Sequence, residues 1–112
     1  MGTEITFRPG IEGLMAALAV AEQLAASSPV VPSSARADEH SSWLVDQQHP
    51  IGVHLYFHRD EAAVRAFADC FGVEATSVID GPDRLTTADG ALNGVPFRAW
   101  TLTDVEAAAV AA

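Results

Sequence analysis

Apolar and polar residues alternate over residues 53–58, which read Val-His-Leu-Tyr-Phe-His. A period of two is typical of a strand that has one face on a hydrophobic core. Asp60 follows as a helix N-cap, and apolar residues then recur at helical spacing up to Gly72, which suits a left-handed C-cap. The pattern therefore predicts a strand followed directly by a helix.

The N-terminal part of the chain carries a second helical pattern. Residues 4–8 are predicted to form a short strand, and Pro9 and Gly10 then introduce a helix that Ser27, Ser28 and Pro29 end. The predicted apolar stripe of this helix consists of Leu14, Leu18, Ala21 and Ala25, widened by Met15, Ala17 and Leu24.

Three further strands are predicted after Gly72. They cover residues 74–79, a segment from Arg84 and residues 95–102, and the first two are joined by a Gly81-Pro82-Asp83 turn. The alanine-rich tail over residues 105–112 is predicted to add two turns of helix.

Asn93-Gly94 is a strong hairpin signal, because a type I′ turn needs positive φ at both central residues. The turn also predicts the register of the last two strands. The expected cross-strand pairs are Asp89 with Arg98, Ala88 with Ala99, Thr87 with Trp100, and Leu85 with Leu102.

Residues 29–50 are the least regular part of the sequence, with three prolines and many polar side chains. A connection of this length is a functional loop, a flexible segment or the site of an unrecognised strand near Trp43. Residues 33–42 are expected to tolerate insertions, because they offer little apolar surface to bury.

Together these elements predict one α+β domain over residues 1–112. Its two layers would hold about four mainly antiparallel strands and two main helices. With 112 residues, of which 49% are hydrophobic, the chain is long enough for a single core.

The net charge of −9 and the absence of lysine argue against a nucleic-acid-binding surface. The most apolar stretch, over residues 11–26, is interrupted by charged residues and lacks a basic leader, so we expect no membrane association and a cytoplasmic location. Cys70 is the only cysteine, and its position beside Phe67 and Phe71 predicts a buried thiol that packs as a small hydrophobe.

The polar side of the strand at 53–58 carries His54, Tyr56 and His58, a row that suggests a metal or acid–base site. The two histidines would lie about 13 Å apart along the strand, too far to bind one zinc ion. His40 and His49 are further donors in the loop. We expect no metal, no cofactor and no catalytic residues, because no complete motif is present.

The strand at 95–102 has apolar residues on both faces, since Arg98, Trp100 and Leu102 alternate with Val95, Phe97 and Ala99. Either the two helices cover opposite faces of the sheet, which is the favoured interpretation, or one face stays open for a partner. The candidate interaction surface consists of Arg98, Trp100, Leu102, His54, Tyr56 and His58.

The function predicted from these residues is that of a non-enzymatic accessory module that binds another protein or a second copy of itself. One alternative is a small-molecule or metal-binding protein that uses the His54, Tyr56 and His58 face. Another is an acidic inhibitor of a nucleic-acid-binding protein, although the 15 acidic residues form no block.

Several segments together resemble a known group of sequences. These are Pro9-Gly10, Ser-Pro-Val-Val-Pro at 28–32, Val-His-Leu-Tyr-Phe-His at 53–58, Ala-Val-Arg-Ala-Phe-Ala at 63–68, and Gly-Val-Pro-Phe-Arg-Ala-Trp-Thr-Leu-Thr at 94–103. In pattern and composition the chain resembles small uncharacterised proteins of actinobacteria and of their phages and mobile elements. The resemblance implies a genomic context and no specific activity.

Overall fold

The computed structural model describes residues 11–38 and 51–105. Its elements are, in chain order, α1 (Ile11–Ser27), β1 (Ser34–Asp38), β2 (Gly52–Tyr56), α2 (Glu61–Phe71), β3 (Ala75–Asp80), β4 (Asp83–Leu92) and β5 (Val95–Asp104). The strand predicted at residues 4–8, the loop residues His40, Trp43 and His49, and the tail helix beyond Val105 lie outside the described residues.

The described strands form one mixed sheet in the order β1-β2-β5-β4-β3. The α+β class is confirmed, but the expectation of about four mainly antiparallel strands is corrected in two respects: the described sheet has five strands, and it is mixed, because β2 runs parallel to β5. A parallel pair needs a long crossover, which α2, β3 and β4 provide here. The longest strands, β4 and β5, lie near the centre of the sheet.

Both helices pack on the same face of the sheet, α1 over β1 and β2, and α2 over β4 and β5. The favoured expectation that the helices cover opposite faces is therefore wrong. One continuous core joins them, in which Val53 and Leu55 of β2 and Phe97 and Ala99 of β5 are buried. In the described part of the chain, no helix packs on the other face.

The buried stripe of α1 differs from the predicted one. Its buried apolar residues are Ala17, Val20, Ala21 and Leu24, whereas Leu14, Met15 and Leu18 are exposed. The helix is apolar on nearly every side, so hydrophobic spacing alone does not determine which side faces the sheet.

The local signals for α2 and for the hairpins are confirmed. Asp60 Oδ1 accepts a hydrogen bond from the Ala63 amide at 2.9 Å, and Gly72 ends the helix with φ of 67°. Asn93 and Gly94 both have positive φ, and all four predicted pairs between β4 and β5 are present. The register of this hairpin is therefore encoded by its turn.

Two further expectations are corrected. Residues 34–38, assigned to an irregular loop, form β1 and pair with β2, so insertions there would break sheet pairing. Cys70 is exposed rather than buried, with its thiol 3.6 Å from the Ser27 carbonyl oxygen. The reason is its angle on α2, where Ala63, Val64, Phe67 and Ala68 form the buried side.

Candidate functional site

The face of the sheet opposite the two helices presents rows of side chains that run across the strands, and three of them surround the predicted surface residues. Because β2 pairs with β5 in parallel, His54 lies beside Arg98 and Tyr56 beside Trp100. The rows follow from the registers of all five strands. The polar row is Arg36, His54, Arg98 and Asp89; the aromatic row is Ser34, Tyr56, Trp100, Thr87 and Thr76; the apolar row is Leu102, Leu85 and Val78.

The aromatic row contains a close pair of rings. The centroids of Tyr56 and Trp100 are 4.6 Å apart with an interplanar angle of 44°. The Tyr56 hydroxyl shares a hydrogen bond of 2.8 Å with Nδ1 of His58, and the His58 amide donates to Ser33 Oγ at 3.0 Å. Both rings are half-buried, so they are held in place while part of each is accessible.

The polar row contains a bidentate ion pair between Arg98 and Asp89. Arg98 Nε and Nη2 donate to the two carboxylate oxygens of Asp89 at 2.7 and 2.8 Å. Arg36 pairs with Asp38 at 3.3 Å beside this row. Such partly exposed pairs contribute modestly to stability, but bidentate geometry fixes the guanidinium plane.

His54 lies between the two arginines of the polar row. Burial lowers the pKa of His54 below its ordinary value; Asp38 acts in the opposite direction, whereas Arg36 and Arg98 lower it further. The imidazole is therefore neutral at pH 7, which suits a hydrogen-bonding role better than a charged contact.

The apolar row becomes more exposed toward the edge of the sheet. Leu102 and Leu85 are half-buried, whereas Val78 on the edge strand β3 is 57% exposed. Exposed aliphatic side chains that continue a partly buried row mark a surface suited to further packing.

A second cluster, on the helix side, was missed by sequence reasoning. Glu61 Oε1 accepts hydrogen bonds from Thr86 Oγ1 at 3.0 Å and Ser77 Oγ at 3.2 Å. Arg65 and Arg84 lie 3.7 and 3.9 Å from the same carboxylate. Burial raises the pKa of Glu61, but the two hydroxyl groups and the two arginines lower it, and the net pKa is below the ordinary value.

This Glu61 cluster fastens the first turn of α2 to β3 and β4. The hydroxyl of Thr86 is fully buried and satisfied there. The sequence shows Glu61 only as a favourable first-turn acid, because its hydrogen-bond partners lie 16 and 25 residues away. The arrangement is a structural link, since every group in it already has a partner.

Five of the six predicted surface residues share the face opposite the helices, and His58 joins them through Tyr56. The sequence presented them as two separate groups. The structure adds Leu85, Val78 and Asp89 as their neighbours. Within residues 11–38 and 51–105, no group of three His, Cys, Asp or Glu side chains is arranged to hold a metal ion.

No family model, no curated protein and no solved structure matches the chain. The resemblance to actinobacterial and phage proteins therefore stays a prediction. None of the helices in the described part of the chain is both long enough and apolar enough to span a membrane.

Proposed function

We propose that the chain is a non-enzymatic interaction module that binds a protein partner through the face bearing Tyr56 and Trp100. The observation that carries this proposal is the close, half-buried aromatic pair at the centre of that face. Trp and Tyr are the residues most enriched among interface hot spots, because each buries a large area with few rotatable bonds.

The surroundings of the pair favour a protein ligand. Arg98 is oriented by Asp89 on one side of Trp100, and Leu102 supplies an aliphatic contact on the other. An aromatic centre with an oriented arginine and an apolar neighbour has the composition of a protein interface core. Asp38 and Asp89 are paired with arginines, and the row formed by Asp104, Asp83 and Asp80 lies at the other end of the face, beyond Leu102.

The test compares capture of partners from the native host by wild-type protein and by Trp100→Ala. We expect the variant to stay folded and to lose the captured partner, because truncation removes the central ring. Met15→Ala is the matched control, since Met15 is a large exposed apolar residue on α1, away from this face. A photo-crosslinking residue in place of Leu102 should form a covalent adduct with the same partner.

Two outcomes would contradict the proposal. In the first, Trp100→Ala and Met15→Ala capture the same partners in the same amounts. In the second, Trp100→Ala lowers the free energy of unfolding by about 3–5 kcal/mol, the loss expected when a core aromatic residue is truncated. Thermal melting of both variants distinguishes loss of binding from loss of fold.

A further inference from the structure

The edge strand β3 has no strand partner on its outer side among the described residues. All of its residues except Ala75 are exposed, including the aliphatic side chains of Val78 and Ile79, at 57% and 62%. An edge strand presents a row of backbone donors and acceptors that pairs readily with another strand. The group that satisfies such an edge is therefore an extended strand.

The two edge strands, β1 and β3, differ in how well they are protected against pairing with a further strand. The opposite edge strand β1 carries the charged residues Arg36 and Asp38, and Pro32 precedes it. Charged residues and proline are the usual means by which proteins block edge pairing. In β3 the one charged residue, Asp80, lies at the end of the strand, and residues 75–79 contain neither a charge nor a proline, so β3 is the edge better able to pair.

The apolar row indicates which strand pairs with β3. Leu102, Leu85 and Val78 lie directly opposite one another on β5, β4 and β3, so the row ends at Val78 on the free edge. A two-fold axis perpendicular to the sheet at Val78 would place the same row of a second copy end to end with the first. Val78 would then contact Val78 of the second copy, and the row would continue across both sheets.

The charges around β3 favour this register over one with the axis at Ser77. With the axis at Val78, Asp80 lies opposite Thr76 of the second copy, and the Thr hydroxyl can donate to the carboxylate. The two Asp80 residues are then about 13 Å apart along the strands, beyond the screening length of about 8 Å at physiological salt. Moving the axis to Ser77 would instead place Asp80 opposite Glu74.

We propose that β3 pairs antiparallel with β3 of a second copy, with Val78 on the two-fold axis, so that one sheet runs through a symmetric dimer. Because both copies use the same edge, the assembly closes as a dimer. The dimer contact is made by β3 at the edge of the sheet, whereas Tyr56 and Trp100 lie on β2 and β5 with β4 in between. It is therefore independent of the proposed function.

The first test is sedimentation velocity over a wide range of protein concentration, with thermal melting as the check on folding. We expect a monomer–dimer equilibrium that Val78→Lys weakens by roughly a hundredfold or more, because two lysines would meet at the axis. Val31→Lys is the matched control: it makes the same charge change at a valine 84% exposed outside the strands, and it should leave dimerisation intact.

The second test determines the register of the proposed β3–β3 pair by disulfide formation in a Cys70→Ser background. Directly opposed strand residues have Cβ atoms about 4.5–5.5 Å apart, close to disulfide geometry. Val78→Cys should therefore form a covalent dimer on oxidation. Thr76→Cys should not, since those residues would lie about 13 Å apart.

Four results would overturn the proposal. They are a protein that is monomeric at every concentration, a dimer that survives Val78→Lys, a dimer that Trp100→Ala abolishes in a folded protein, and cross-linking of Thr76→Cys in preference to Val78→Cys. If Val78→Lys does not fold, the comparison of the two cysteine variants decides.

Discussion

Gly90 allows Phe97 to pack against the sheet, and Gly90→Ala tests that packing directly. The two residues are opposite each other on β4 and β5. A Cβ atom at position 90 would lie 2.5 Å from Cζ of Phe97 and 2.9 Å from Cγ1 of Val73. Gly90 is not among the positive-φ glycines, so alanine meets steric contact there without backbone strain.

The expected loss follows from the surroundings of the Phe97 ring. It is buried, with the Phe67 centroid 5.6 Å away in an edge-to-face arrangement and the Phe71 centroid 6.2 Å away. Because the ring has little space to retreat, overpacking should cost about 1–3 kcal/mol. Alanine also reduces the backbone freedom of the unfolded chain, which stabilises the folded protein by about 0.4–1 kcal/mol and offsets part of this cost. The net destabilisation should be about 1–2 kcal/mol, or roughly 5 °C in Tm per kcal/mol.

The energetic coupling between positions 90 and 97 can be measured by urea unfolding of four proteins: wild type, Gly90→Ala, Phe97→Leu and the double variant. Leucine removes the ring atoms nearest to position 90, so Gly90→Ala should cost less in the Phe97→Leu background than in wild type. Phe97→Leu by itself should be destabilising, because it truncates a core side chain. The packing argument is refuted if Gly90→Ala is as stable as wild type, or if its effect is the same with and without Phe97.

Four further variants test other local features. Gly94→Val should lower the free energy of unfolding by about 1–3 kcal/mol, because Gly94 has φ of 79°, which strains a β-branched residue. The space around Gly94 is open, so the loss comes from the backbone alone, and an unchanged Tm would show that the turn tolerates a β-branched residue. Glu61→Gln should cost about 1 kcal/mol at neutral pH. Because the folded-state pKa of Glu61 is lowered, its contribution is complete above the unfolded value of 4.5 and is lost as pH falls through the folded value, so the gap from wild type should close in acid. The folded-state pKa of His54 is also lowered, so protonation of the unfolded chain should reduce stability as pH falls below 6.5, and His54→Asn should weaken this dependence in pH-resolved melts. Cys70→Ser should change stability by no more than about 0.5 kcal/mol, because the thiol is exposed; a larger loss in chemical denaturation would contradict the position of Cys70 on α2.

Features that depend only on neighbouring residues can be predicted from local sequence. Asp60 and Gly72 mark the ends of α2, because capping requires a side-chain acceptor at one end and positive φ at the other. Asn93 and Gly94 likewise determine the register of β4 and β5, including the Asp89–Arg98 ion pair. Each of these signals acts within a few residues, so it can be recognised without knowledge of the rest of the fold.

The candidate site was predicted in its residues but not in its arrangement. His54 and Tyr56 were identified from one strand, and Arg98 and Trp100 from another. Their contact depends on the parallel pairing of β2 with β5, which joins residues 44 positions apart. No local pattern encodes that pairing.

The remaining features depend on contacts between residues that are distant in sequence. Ser34–Asp38 has low β propensity, so β1 cannot be recognised from the sequence. The strand forms because its backbone pairs with β2. The side of α1 that is buried was set by the sheet, since an almost uniformly apolar helix has no single preferred face. The placement of both helices on one side was decided in the same way. Hydrophobic burial has no direction of its own, and only the complete set of strand pairings determines which surfaces are close enough to exclude water.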